Sequence, residues 1–79
     1  RGGAASDELL AAMPGTVIAV DAEAGAAVAA GETIMVIESM KLETTVAAPR
    51  DGVVAAIGFA PGGTFDKGAV LARLEPEGD

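Results

Sequence analysis

Short apolar alternations, set off from one another at several points by glycines, run along this chain. In residues 16–22, Val17, Ala19 and Asp21 alternate with Thr16, Ile18 and Val20. In residues 32–39, Ile34, Val36 and Glu38 alternate with Thr33, Met35 and Ile37. Period-two alternation rich in β-branched residues predicts half-buried strands. Gly25, Gly31, the run Pro61-Gly62-Gly63 and the pair Lys67-Gly68 stand where turns are needed. Residues 22–30 are alanine-rich enough for a helix, but Gly25 and Gly31 oppose one. Closely spaced strands split by glycine turns predict an all-β fold, a sandwich or flattened barrel.

The pattern occurs twice. A constant offset of 37 positions, with no gap, aligns Gly15 with Gly52, Val17 with Val54, Ala19 with Ala56, Gly25 with Gly62, Gly31 with Gly68 and Glu38 with Glu75. Conservative pairs keep the same phase: Val20 with Ile57, Val28 with Phe65, Ile34 with Leu71, Ile37 with Leu74. Matched glycines in a matched apolar register predict one backbone built twice and related by a pseudo-twofold axis. Gly15 and Gly52 are expected to hold either positive φ or a close backbone contact. The offset carries Lys41 onto Ala4 and Gly78, so the segment around Lys41 is expected at one end of the domain and both termini at the other.

Composition narrows the chemistry. Seventy-nine residues make one domain with a small core. No His and no Cys are present, which excludes His-based triads, zinc clusters, disulfides and thiol redox motifs. The missing cysteines fit an intracellular site, cytoplasmic or, in a eukaryote, the mitochondrial matrix. A net charge of −7 spread along the chain repels phosphate backbones, so no nucleic-acid partner is expected, and no apolar run approaches membrane-spanning length. Residues 1–8 read as a flexible linker remnant or engineered scar, residues 9–76 as the domain and 77–79 as a tail, as in a piece excised from a longer polypeptide.

Only two lysines occur, Lys41 and Lys67. Lys67 lies in an Asp-Lys-Gly turn and reads as structural. Lys41 lies in Glu38-Ser39-Met40-Lys41-Leu42-Glu43, between predicted strands 32–39 and 42–48. Met40 and Lys41 alone join them, the length of a two-residue hairpin whose type I′ or II′ turn prefers Gly, Asn or Asp. Met-Lys is a poor choice for such a backbone, and strain of this kind gathers at functional sites. A solubilising charge at a hairpin tip is the alternative, and Glu38 and Glu43 read as edge charges that discourage strand-to-strand association.

This hexapeptide resembles the attachment motif of biotinyl (biotin carboxyl carrier) domains, commonly Ala-Met-Lys-Met. The resemblance covers residues 10–76, with Met13-Pro14-Gly15 at the entry and Ala48-Pro49 followed by Asp51-Gly52 after the hairpin. It implies a flattened barrel of two four-stranded antiparallel sheets with quasi-twofold symmetry. It also implies that Lys41 is the covalent biotin acceptor, with Met40, Ser39 and Leu42 completing the attachment motif. Ser39 stands where Ala is usual and Leu42 where the second Met is usual. The implied partners are a biotin protein ligase, a biotin carboxylase and a carboxyltransferase, the isolated domain being a monomeric, non-catalytic carrier.

Two other readings remain. A lipoyl domain shares the implied fold and modifies a hairpin lysine, but it usually carries Asp where this chain has Met40. An unmodified barrel-sandwich assembly module would lack the Met-Lys hairpin. A free-standing enzyme is disfavoured for want of nucleophile–base pairs. Residues 21–27 are matched one for one by 58–64, which leaves no room for the protruding thumb of the bacterial acetyl-CoA carboxylase carrier. That resembles the thumbless carriers of multidomain acyl-CoA, pyruvate or urea carboxylases, and of related decarboxylases and transcarboxylases.

Overall fold

The computed structural model describes residues 8–76, and these form eight strands and no helix. They are β1 (Glu8–Leu10), β2 (Gly15–Val20), β3 (Ala27–Val28), β4 (Thr33–Ser39), β5 (Leu42–Ala47), β6 (Gly52–Ile57), β7 (Thr64–Phe65) and β8 (Val70–Leu74). Two four-stranded antiparallel sheets result, in the orders β5-β4-β2-β7 and β1-β8-β6-β3. The offset read from the sequence maps one sheet onto the other, β2 onto β6 and β3 onto β7 residue for residue. The expected linker residues 1–7 and tail 77–79 lie outside the described residues. Glu8, assigned to the linker by composition, instead opens β1, paired with Arg73 and ion-paired to it at 3.3 Å.

The halves are knit by exchanged hydrogen bonds. The Gly25 N–H donates to the Val54 carbonyl and the Val54 N–H to the Ala26 carbonyl. Across the axis, the Gly62 N–H donates to Val17 and the Val17 N–H to Gly63, at the same 2.8–2.9 Å. Each turn therefore rests on the other half's strand. Gly25, Gly31, Gly62 and Gly68 all have φ between 86° and 92°, the left-handed region that glycine enters without a Cβ penalty.

Strict alternation fails at two places in each half. Ile34 was expected on the face opposite Met35, yet both are 0 % exposed. The β4–β5 register skips Ile34, pairing Thr33 with Ala47 and Met35 with Val46. That bulge turns two successive side chains inward, because an extra residue on one strand resets the pleat. Leu71 and Ala72 repeat it in β8, where the β1 register skips Leu71. A second pair of bulges, at Ile18 in β2 and Ala55 in β6, leaves Ile18 exposed. Strand ends differ from the expected ranges by a residue or two, and residues 22–30 form a turn and β3.

The core is built from Val17, Val28, Ile34, Met35, Val54, Phe65, Leu71 and Leu74, with a tilted ring pair between Phe59 and Phe65, centroids 5.8 Å apart. Gly15 does not adopt the left-handed backbone; a Cβ there would run into the carbonyl oxygen of Glu38 and the ring of Phe65. At Gly52 a Cβ would instead meet Arg50 Nη1 at 2.7 Å. Close approach of backbone, rather than positive φ, explains Gly15, whereas the arginine end that faces Gly52 could move aside.

The hairpin between β4 and β5 caps one end of the barrel. Thr16 pairs with Glu38 and Gly15 with Phe65, so the Met13-Pro14 entry and the turn after β7 share that end. At the distal end, Arg50 donates to the Glu75 carbonyl and Glu8 lies beside Arg73. The described chain ends are thus remote from the hairpin; the termini at Ala4 and Gly78, on which the expectation fell, lie outside the described residues.

Two substitutions test this architecture by urea unfolding. Gly15→Ala should destabilise by about 1–3 kcal/mol, because backbone cannot yield to the new methyl as a side-chain end can; a change within about 0.5 kcal/mol would refute the close contact. Leu74→Ala should cost about 2–5 kcal/mol, whereas Leu42→Ala, on an exposed side chain, should stay within about 0.5 kcal/mol.

Candidate functional site

The hairpin is held by a full antiparallel ladder: Ile37 pairs with Thr44, Glu38 with Glu43, and Ser39 with Leu42. Met40 and Lys41 are left to turn the chain, with φ of 54° and 68°. Positive φ at both central positions is the mark of a type I′ turn, whose twist matches that of the flanking strands. For residues with a Cβ this backbone costs about 1–2 kcal/mol each. They are the positive-φ residues other than glycine among those described. The strain expected from Met-Lys at a two-residue loop is therefore present.

The same geometry puts the side chains into solvent. Met40 is 76 % exposed and Leu42 70 %, and Lys41 is exposed at the tip. Among the described residues no ion pair or hydrogen bond engages the Lys41 amine. Glu38 and Glu43, three residues before and two after it, are exposed and face one another across the strands. Like charges directly opposite cost stability, so this pair is not there to strengthen the hairpin. An amine free of partners at a protruding turn is available to an acylating active site. With no His or Cys in the chain, no imidazole or thiolate of this domain stands by to activate it.

The expected motif residues lie together, and two further contacts brace the ends. The Ser39 hydroxyl donates to the Pro14 carbonyl at 2.7 Å, tying the last residue of β4 to the entry loop. At the distal end Arg50, which the sequence reading did not single out, donates to the carbonyls of Asp51 at 3.0 Å and Glu75 at 2.8 Å. A lone arginine between Pro49 and Asp51-Gly52 was the available signal. Met13 was noted only as part of the entry motif, and it is exposed at the hairpin end. Lys67 is exposed in the turn after β7, also at the hairpin end.

A shallow depression of about 270 Å³ lies elsewhere, between the two turns that cross the pseudo-twofold, lined by Val20, Glu23, Ile57, Phe59 and Pro61 among others. None of its lining residues belongs to the hairpin.

Comparison with known proteins bears on which chemistry that is. Residues 7–74 match the family described as "Biotin-requiring enzyme". Pyruvate carboxylase of Bacillus subtilis (strain 168) is 43 % identical over 67 residues, which is 85 % of this chain and 6 % of that protein. Among solved structures, the urea carboxylase of Kluyveromyces lactis superposes with a TM-score of 0.79 at 29 % identity, over 86 % of this chain and 6 % of that one. The lipoyl domain of the 2-oxoglutarate dehydrogenase complex from Azotobacter vinelandii superposes with a TM-score of 0.74 at 36 % identity, over 84 % of both chains. The chain thus spans a small fraction of the carboxylases it resembles and nearly the whole of a lipoyl domain. With its paired four-stranded sheets and a match over nearly its full length, the chain belongs to the biotin-requiring enzyme family, as a biotinyl domain.

Proposed function

We propose that this domain is a biotin carboxyl carrier and that Lys41 is its acceptor. The observation that carries the reading is the exposed Met40-Lys41 turn, held in left-handed backbone at the end of the barrel remote from the first and last described residues. A biotin protein ligase presents biotinyl-adenylate, and the deprotonated Lys41 Nζ attacks the acyl carbon. A C–N amide bond forms, the C–O bond to the adenylate breaks, AMP leaves and the amine loses a proton. Met40, Ser39 and Leu42 shape the surface that the ligase meets.

When attached, biotin supplies the carboxyl-accepting chemistry, while this chain supplies reach and placement. The unpartnered Lys41 amine and the clear space around Met40 and Leu42 fit an acyl group attached there and free to swing. Tethered at its distal end, the domain presents Lys41 first to a biotin carboxylase and then to a carboxyltransferase. Tethering turns each transfer into an intramolecular encounter and raises effective concentration. The domain is itself a monomeric non-catalyst, and the acceptor substrate, whether acyl-CoA, pyruvate or urea, is chosen by the carboxyltransferase. The one-for-one match of 21–27 with 58–64 supports a thumbless carrier of a multidomain carboxylase.

The second reading is a lipoyl carrier, favoured by the superposition on a lipoyl domain at 36 % identity. Met40 opposes it, since lipoyl domains usually carry Asp before the lysine.

Intact mass with peptide mapping, after co-expression with biotin protein ligase and biotin, separates the readings. Wild type should gain one biotinyl group on Lys41. Lys41→Arg should fold normally and gain none, because its guanidinium keeps the charge but is not a nucleophile. Strong residual biotinylation in that variant would move the site to Lys67. An unmodified wild type beside a biotinylated control carrier, followed by modification with lipoate ligase, would establish the lipoyl reading instead.

A further inference from the structure

Pro14 ends the β2 ladder at the base of the hairpin. It has no N–H to donate, and its carbonyl sits beside the last residue of β4. Ser39 meets it: its hydroxyl donates to that carbonyl at 2.7 Å, in a solvent-exposed bond. Ser39 also directly precedes the two left-handed residues, so its contact acts on the chain where the strained turn begins.

The pseudo-twofold supplies an internal comparison. The offset carries Pro14 onto Asp51, whose carbonyl also takes a side-chain donor, but there it is Arg50 Nη1 at 3.0 Å. Both halves thus recruit a donor to the same carbonyl from unrelated residues. Around the distal end, Asp51 Oδ1 accepts from the Ala30 N–H at 2.8 Å and Glu32 Oε1 from the Ala29 N–H at 2.9 Å. At the hairpin end, among the described residues, Ser39 alone makes a side-chain hydrogen bond of this kind. The distal end is thus tied by several long side chains. The hairpin end is tied by one short hydroxyl, which leaves the space above Lys41 clear.

We infer that Ser39 is a positioning residue for Lys41: its bond to Pro14 docks the attachment hairpin on the entry loop, preorganising the left-handed turn for the acylating enzyme. This rests on the carrier reading above for its enzymatic consequence but not for its structural one. The bond ties the entry segment, which carries exposed Met13, to the hairpin, which carries exposed Met40, so the ligase meets two tethered segments rather than an isolated loop. A turn that must be ordered on docking binds more weakly, because the ordering is charged against the encounter. Its loss should therefore appear in KM and leave kcat unchanged.

The test uses the 79-residue chain with Ser39→Ala, Ser39→Val and Ser39→Thr. Amide hydrogen exchange at Ile37, Leu42 and Thr44, whose N–H groups lie in the β4–β5 ladder, is compared with exchange at Val17 and Val54, alongside initial biotinylation rates with a biotin protein ligase. Ala and Val should speed hairpin exchange about fivefold, the scale of one lost hydrogen bond, and raise KM by a similar factor. The Val17 and Val54 amides should be unmoved. Thr, which keeps the hydroxyl, should restore both readouts, whereas Val, its isostere, should not. Hairpin exchange unchanged in Ser39→Ala would overturn the inference. So would a uniform acceleration at all five amides, which would make Ser39 a general stabiliser. If wild type were not biotinylated at all, the carrier reading would fall while the exchange comparison still decided the brace.

Discussion

Everything in this domain depends on the exchange of turns across the pseudo-twofold. Neither half closes its own sheet: β5 belongs beside β4, β7 beside β2, β3 beside β6 and β1 beside β8, so each half completes the other. The Gly25–Val54 and Gly62–Val17 bonds fasten these exchanges where the chain crosses the axis. Burial of Val17, Val54, Ile34, Leu71 and Leu74 follows, because the two bulges that turn side chains inward stand at equivalent places in both halves. A core with few aromatics gains rigidity from this repetition rather than from large side chains.

A symmetric scaffold then carries two unlike ends. The distal end gathers the described chain ends and is tied by Arg50, Asp51 and Glu32. The opposite end carries a turn with two non-glycine residues at positive φ, and its side chains project without partners. Strained backbone persists only where its surroundings over-determine it. Here the β4–β5 ladder, the close seat of Gly15 under Glu38 and the Ser39–Pro14 bond do so. A braced turn under an exposed lysine suits the proposed carrier role.

The fold alone does not name the cargo, since a carboxylase and a lipoyl domain superpose on this chain almost equally well. What separates them is chemical detail at the tip, where Met40 stands before the lysine. Function on this scaffold is written in a few side chains at one turn.

Much of this was legible in the chain itself. The 37-residue offset announced two equivalent halves, and the glycines at 25, 31, 62 and 68 announced their turns, because positive φ leaves a local signature in residue type. The two-residue spacing between alternating runs located the Met40-Lys41 turn and its strain. The bulges at Ile34 and Leu71 were not legible, since apolar residues on both sides of a bulge read as simple alternation. The brace between Ser39 and Pro14 and the clamp of Arg50 on Glu75 join residues 25 positions apart. Local pattern carries no record of such pairs. Their geometry exists only once the sheets have set the register that brings those segments together, which is why the tertiary structure decided how the lysine is held while the sequence determined where it lies.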